Sequence, residues 1–189
     1  WIFGGIFRPV YLEVKPREHI RRVAVDARAD GTFRAEIYLE GVRKAERVKT
    51  KILDSQGGLV TEFSSDIELK GEKTSVEGKV SEPRTWNPEF PHLYRVAFSM
   101  VDSDGEEIHH LEEKVGFRTV EVREQDGIYI NGTRIRFRGV NRHSFHPEHG
   151  RTSSPAFSAE VVNLIKDMNM NSVRMSHYPP DEHFLDACD

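Results

Sequence analysis

Phe137-Arg138-Gly139-Val140-Asn141-Arg142-His143 and Asn171-Ser172-Val173-Arg174-Met175-Ser176-His177-Tyr178-Pro179 are the two stretches on which the fold turns. Each begins as a short strand-like run and ends in Asn, Arg, His or Tyr. Between them the apolar spacing becomes helical. Val161, Leu164, Ile165 and Met168 fall at i, i+3, i+4 and i+7, which predicts a helix from Ser158. Residues 141–155 form a loop rich in His, Pro, Gly and Ser. Asp181 to Asp189 reads as the first turns of a second helix. Strand, loop, helix, strand, loop, helix is a βαβα unit, which implies a parallel sheet with right-handed crossovers. A sheet of this kind needs further strands. Together with the start at Trp1-Ile2-Phe3-Gly4-Gly5, this gives the expectation that both ends are cuts within a longer protein.

Upstream the periodicity is two. Val23, Val25, Ala27 and Ala29 alternate with polar residues, Asp30-Gly31 signals a turn, and Phe33, Ala35, Ile37 and Leu39 alternate again. This is a β-hairpin pattern. Further strands are expected at Val48–Leu53, Ser65–Leu69, Thr74–Val80, Leu93–Val101 and Ile108–Val122, with turns at Gly57-Gly58, Lys70-Gly71 and Asp102-Ser103-Asp104-Gly105. Short strands at this spacing without helix signals suggest an immunoglobulin-like β-sandwich. A last hairpin, Ile128–Ile130 and Ile135–Phe137 around Asn131-Gly132-Thr133, leads into the βαβα part. Periodicity alone gives a mainly β chain: an immunoglobulin-like sandwich followed by a βαβα unit of an incomplete parallel sheet.

Composition excludes several classes. The 189 residues carry a net charge of −4, which argues against a nucleic-acid partner held by bulk charge. No apolar run is long enough to span a bilayer, so no membrane partner is expected. The single Cys, Cys188, rules out a disulfide scaffold and does not specify a compartment.

In an α/β barrel the reactive side chains sit at the C-terminal ends of the strands. Two polar clusters hold that position. One is Asn141-Arg142-His143 with His146-Pro147 and His149-Gly150-Arg151; the other is Arg174 with Ser176-His177-Tyr178. Such loops are either solvated surface or the rim of a site. His143, His146 and His149, three apart, invite a zinc reading. Pro147 breaks any helix there, no Cys lies near and no HExxH occurs, so no metal is expected at them. Arg174 serves either a rim ion pair or the orientation of a catalytic carboxylate. Trp86, set among prolines before a long strand, reads as a sandwich-core anchor rather than a sugar-stacking platform.

Phe137 to His143 with His146-Pro147 and His149-Gly150-Arg151 closely resembles the first barrel strand and loop of glycoside hydrolase family 2. Arg174-Met175-Ser176-His177-Tyr178-Pro179 resembles the second. Within that family the likeness is best to bacterial β-galactosidases. Gly4 to Val10 looks like the last strand of the N-terminal jelly-roll domain; Trp86–Tyr94 and Glu113–Arg118 look like late segments of the immunoglobulin-like domain. The fold class the resemblance implies is mainly β, an immunoglobulin-like β-sandwich followed by the first βαβα part of a TIM (β/α)8 barrel, truncated, with domains 1–10, end of a jelly-roll, sugar-binding-like domain; 11–122, immunoglobulin-like sandwich; and 123–189, start of the catalytic barrel.

The resemblance implies a retaining β-galactosidase as the parent, acting through two Glu residues on later barrel strands. No Glu of this chain, including Glu148, matches either. It implies that His143, His177 and Asn141 contact the galactose and that Arg174 supports the nucleophile, with Asn141 and Arg142 also shaping the loop or contacting carboxylates behind the site. Ser144-Phe145 stands where many relatives carry acidic or His residues, a departure on the acceptor side. No cofactor or metal is implied for this chain, though magnesium is compatible with the full-length parent. The partner implied is a galactoside, with a homo-oligomeric parent left open. The setting implied is a soluble bacterial protein, with the compartment, cytoplasmic or periplasmic, left open. The alternatives are another family 2 glycosidase, such as a β-glucuronidase, and a non-catalytic sandwich that binds glycans or proteins.

Overall fold

A computed structural model of the chain describes residues 5–68 and 71–189. By its contacts the chain divides into two compact units. One holds Val14–Arg134; the other holds Ile135–Asp189 with the N-terminal segment up to Glu13.

The first unit is a β-sandwich. Strands β1 (His19–Ala27), β2 (Thr32–Glu40) and β5 (Lys73–Lys79) form one antiparallel sheet in the order β1-β2-β5. Strands β3 (Arg47–Leu53), β4 (Leu59–Asp66), β6 (Tyr94–Val101) and β7 (Glu107–Val115) form the other, in the order β4-β3-β6-β7. Alternation decides what lies between them. Phe33, Ala35, Ile37 and Leu39 of β2 point inward, as do Val48 and Ile52 of β3 and Val96, Phe98 and Met100 of β6. The Asp30-Gly31 turn closes the first hairpin as expected. Gly31 has φ +88°, and a Cβ there would lie 2.0 Å from the Val80 carbonyl oxygen, so only glycine fits.

Four expectations need correction. The strand placed at Ser65–Leu69 begins instead at Leu59. The Asp54 carboxylate accepts the amides of Gln56 and Gly58, at 2.9 and 2.8 Å, and tightens the loop so that β4 pairs straight back on β3. Leu69 and the Lys70 half of the next turn lie outside the described residues. Ile108–Val122 is two strands, β7 and β8 (Val120–Arg123). The break comes at Gly116, where a Cβ would meet the Trp86 side chain at 2.8 Å, and at Phe117, which is fully buried. Trp86 itself is half-buried and outside the core, with the Arg118 guanidinium 4.5 Å above its ring. Residues 5–18 run without regular secondary structure, Gly5–Val10 included; a strand with no neighbour has no ladder to complete.

A carboxylate organises the link between β2 and β3. Glu18 Oε2 accepts the backbone amides of Arg43, Lys44 and Ala45 at 2.8, 2.7 and 3.0 Å. Burial pushes this carboxyl up, but the amides of Ala45, Arg43 and Lys44 and the Lys44 charge outweigh it, and its pKa lies below the usual 4.5. A depressed folded-state pKa contributes stability that is present above the unfolded value and lost as pH falls through the folded one. Glu18→Gln is therefore expected to cost about 1–2 kcal/mol at pH 7 and to flatten the loss of stability below pH about 4.5. Urea melts at pH 7 and pH 3.5 check this. An equal acid loss in both proteins would mean that Glu18 does not carry it.

Strands β8, β9 (Gly127–Ile130) and β10 (Thr133–Ile135) make a three-stranded sheet in the order β10-β9-β8. Asn131 and Gly132, both at positive φ, form the two-residue turn of its hairpin. The Asn131 side chain also accepts the Thr119 amide and donates to the Trp86 carbonyl, both at 2.9 Å.

The second unit carries the parallel pair. β11 (Gly139–Arg142) pairs with β12 (Ser172–Met175), and Asn141 lies opposite Arg174. Helix α1 (Pro155–Asp167) joins them and α2 (Glu182–Cys188) follows. α1 starts three residues before Ser158. Pro155 occupies its first turn, and Ser154 Oγ accepts the Phe157 amide at 3.1 Å as N-cap. Its buried residues are Ser158, Val162 and Ile165, whereas Leu164 and Met168 of the expected stripe stay exposed. The Ser158 hydroxyl meets His183 Nδ1 at 2.8 Å, which turns this face toward α2. β11 begins two residues later than the Phe137 start. β12, expected to be buried, is only half so, with Arg174 exposed.

Candidate active site at the strand ends

Neighbouring residues of a sheet share a face, so the register sets out the site. Asn141 and Arg174, opposite each other and both exposed, lie on one face; Arg142 and Met175 lie on the other, toward the helices. Arg142 is buried, its guanidinium 4.2 Å above the Phe184 ring of α2 and donating to Ser144 Oγ at 3.0 Å. Burial pushes its pKa down, with the Tyr178, Asp181 and Cys188 groups opposing this. Arg142 thus packs on an aromatic ring, with the Asp181 carboxylate among the groups that act on it.

The loops bring the two clusters together. The rings of His143 and His177 meet edge to face at 5.7 Å, and His143 lies 6.1 Å from the Tyr178 ring. Arg174 donates through Nη1 to Ser176 Oγ at 3.1 Å and through Nη2 to His177 Nδ1 at 3.2 Å. A guanidinium only donates, so Nδ1 of His177 accepts and its Nε2 carries the proton. His177 is thereby a donor held by Arg174. Thus His143, His177, Arg174 and Asn141 are placed at the C-terminal ends of the paired strands, the reactive end of a parallel α/β barrel.

Several supporting contacts were not anticipated by sequence reasoning. Tyr178 Oη accepts the Ser144 amide at 2.9 Å and so ties the second loop to the first. Arg151 stacks 4.4 Å over the Tyr178 ring and 3.8 Å over that of Phe7. Arg8 donates to the carbonyls of Pro179 and Pro180 and lies 3.5 Å from the Asp181 carboxylate. Nothing local in Phe7-Arg8 signals this contact with a loop far down the chain. Among the three spaced histidines, His146 and His149 stack on each other at 4.6 Å, while His143 packs with His177 instead. The donor atoms of His146, Glu148 and His149 lie within 4.8 Å of one another. No helix among the described residues is long and apolar enough to cross a membrane.

A β-sandwich is followed along the chain by a parallel strand–helix unit with His, Arg and Asn at the strand ends, the class of a β-domain joined to the start of an α/β domain. The family models for glycosyl hydrolases family 2 match residues 18–118, and that family's TIM-barrel domain matches residues 120–189. The chain belongs to glycosyl hydrolases family 2. It is 32% identical to a β-galactosidase of Halalkalibacterium halodurans, over all of this chain and 19% of the relative. It is 31% identical to a candidate β-glucuronidase of Formosa agariphila, over all of this chain and 23% of that protein. A solved β-glucuronidase of Bifidobacterium dentium, in complex with coumarin-3-O-glucuronide, superposes with a TM-score of 0.85 at 28% identity, over 92% of this chain and 30% of its own. The chain thus spans about a fifth of the length of these curated relatives.

Proposed function

We propose that this chain is the linking sandwich and first barrel segment of a retaining β-galactosidase. The observation that carries the proposal is the joined site of His143, His177, Asn141 and Arg174 on an Asn-Arg-His and Ser-His-Tyr-Pro framework. In this reading Nε2–H of His177 donates to a hydroxyl of the galactose. His143 and Asn141 complete the sugar contacts. Arg174, besides holding His177, orients the nucleophilic carboxylate. Hydrogen-bond donors fixed before the substrate arrives favour the charge that develops at the ring, because they need no reorganisation during the reaction. The acid/base and the nucleophile are Glu residues on later barrel strands, about 5–5.5 Å apart in a retaining enzyme. The 189-residue chain is accordingly expected to hydrolyse no glycoside by itself. No metal or cofactor is proposed for the sugar contacts of this segment.

The Formosa agariphila and Bifidobacterium dentium relatives favour a second reading, a β-glucuronidase. Assays of the full-length enzyme on aryl β-galactoside, β-glucuronide and β-mannoside separate the two. Turnover of the galactoside is expected, and His177→Ala is expected to lower its kcat/KM by about a hundredfold, the scale of losing one positioned donor. Turnover of the glucuronide alone would replace the first reading with the second. Full galactoside activity in the variant would remove His177 from the site.

A further inference from the structure

Two of the three spaced histidines take no part in the site above and lie beside Glu148 in a short hairpin. Residues 146–150 form a tight hairpin, closed by His146 N–H to the Gly150 carbonyl at 2.7 Å and Gly150 N–H to the His146 carbonyl at 2.9 Å. The hairpin brings His146, Glu148 and His149 to one side, so that one donor atom from each lies within 4.8 Å of the others. The imidazole planes of His146 and His149 are near parallel, 16° apart, and His146 is held edge-on by Phe157 of α1 at 4.8 Å. A cavity of about 350 Å³ adjoins them, lined among others by Ser153, Phe157 and Glu160. The Ser153 hydroxyl is buried without a hydrogen-bond partner, the state of a polar group whose partner is a ligand.

We infer that His146, His149 and Glu148 form a binding site for a divalent transition-metal ion of the zinc type. The donor set selects the ion. Two imidazoles and a carboxylate suit zinc, whereas magnesium and calcium take shells of oxygen. The tautomer is compatible with this. His146 Nδ1 accepts the Glu148 amide at 3.1 Å, so its proton is on Nε2. Coordination through Nδ1 exchanges that hydrogen bond for a metal bond and keeps the Nε2 proton. The inference does not rest on which sugar the enzyme cleaves.

The test is calorimetric titration of the 189-residue chain with zinc chloride, in a Cys188→Ser background because that thiol is exposed and would compete. One site is expected, not displaced by millimolar magnesium. His146→Ala and His149→Ala should each weaken binding by at least about tenfold, and Glu148→Gln by less. His110→Ala, in the sandwich, should leave it unchanged. A zinc-induced shift of the Glu148 amide and of both imidazoles in the unsubstituted chain gives a second readout, independent of whether the variants fold. Absence of binding, binding unaffected by both His substitutions, or shifts centred on His143 and His177 would each overturn the site.

Discussion

Phe117→Ala is expected to destabilise the sandwich by about 3–5 kcal/mol, the range for emptying a buried aromatic site. Phe117 is fully buried at the point where β7 ends. Its ring meets that of Tyr94 edge to face at 5.2 Å and lies 6.4 Å from that of Phe33, which stacks on Phe63. Its carbonyl accepts the Trp86 amide at 2.9 Å, and the next amide, of Arg118, donates to Ala27. The residue thus closes the core and holds the chain across both sheets. A domain has only about 5–15 kcal/mol in total, so the variant loses much of its margin. Urea unfolding measures the effect, with Phe90→Ala, whose ring is largely exposed, as the control. Equal midpoints for the two variants would show that the Phe117 site collapses without cost.

Gly139→Val is expected to separate the two barrel strands. A Cβ at Gly139 would lie 2.2 Å from the Ser172 carbonyl oxygen and 2.3 Å from its hydroxyl. The first of these is backbone and cannot turn aside, so the Gly139–Ser172 end of the parallel pair must open. Overpacking at an unyielding contact costs about 3 kcal/mol. The opening is also expected to strain the Asn171 clamp beside it. That side chain accepts the Arg138 amide and donates to the Arg136 carbonyl, and its own amide bonds the Arg138 carbonyl. Hydrogen exchange should show lost protection at 139–142 and 172–175, and the proximity of the His143 and His177 rings should vanish by nuclear Overhauser effect. The sandwich amides should be unaffected. Retained protection in β11 and β12 would sink this account of the glycine.

Alternation and turn chemistry made the sandwich legible. Phe33 to Leu39 behind Asp30-Gly31 became β2 with its expected inward face, because a period of two leaves one side of a strand to bury. The βαβα order was equally local, and β11 and β12 are parallel neighbours as it requires. What local pattern cannot supply is the result of packing. The Ile108–Val122 run looks continuous until Trp86 claims the space beside Gly116. The helix α1 stripe shifts because Ser158, polar and unremarkable in sequence, bonds His183 of the next helix. The sequence by itself determined the residue types at the strand ends, the Asn-Arg-His and Arg-Met-Ser-His-Tyr runs that carry the family likeness. Only the tertiary structure decided their partners: His143 with His177 rather than with His146, and Tyr178 bridging to Ser144. Residues 33 to 34 positions apart in sequence meet only when β11 and β12 pair, and no local periodicity encodes which rings that pairing brings into contact.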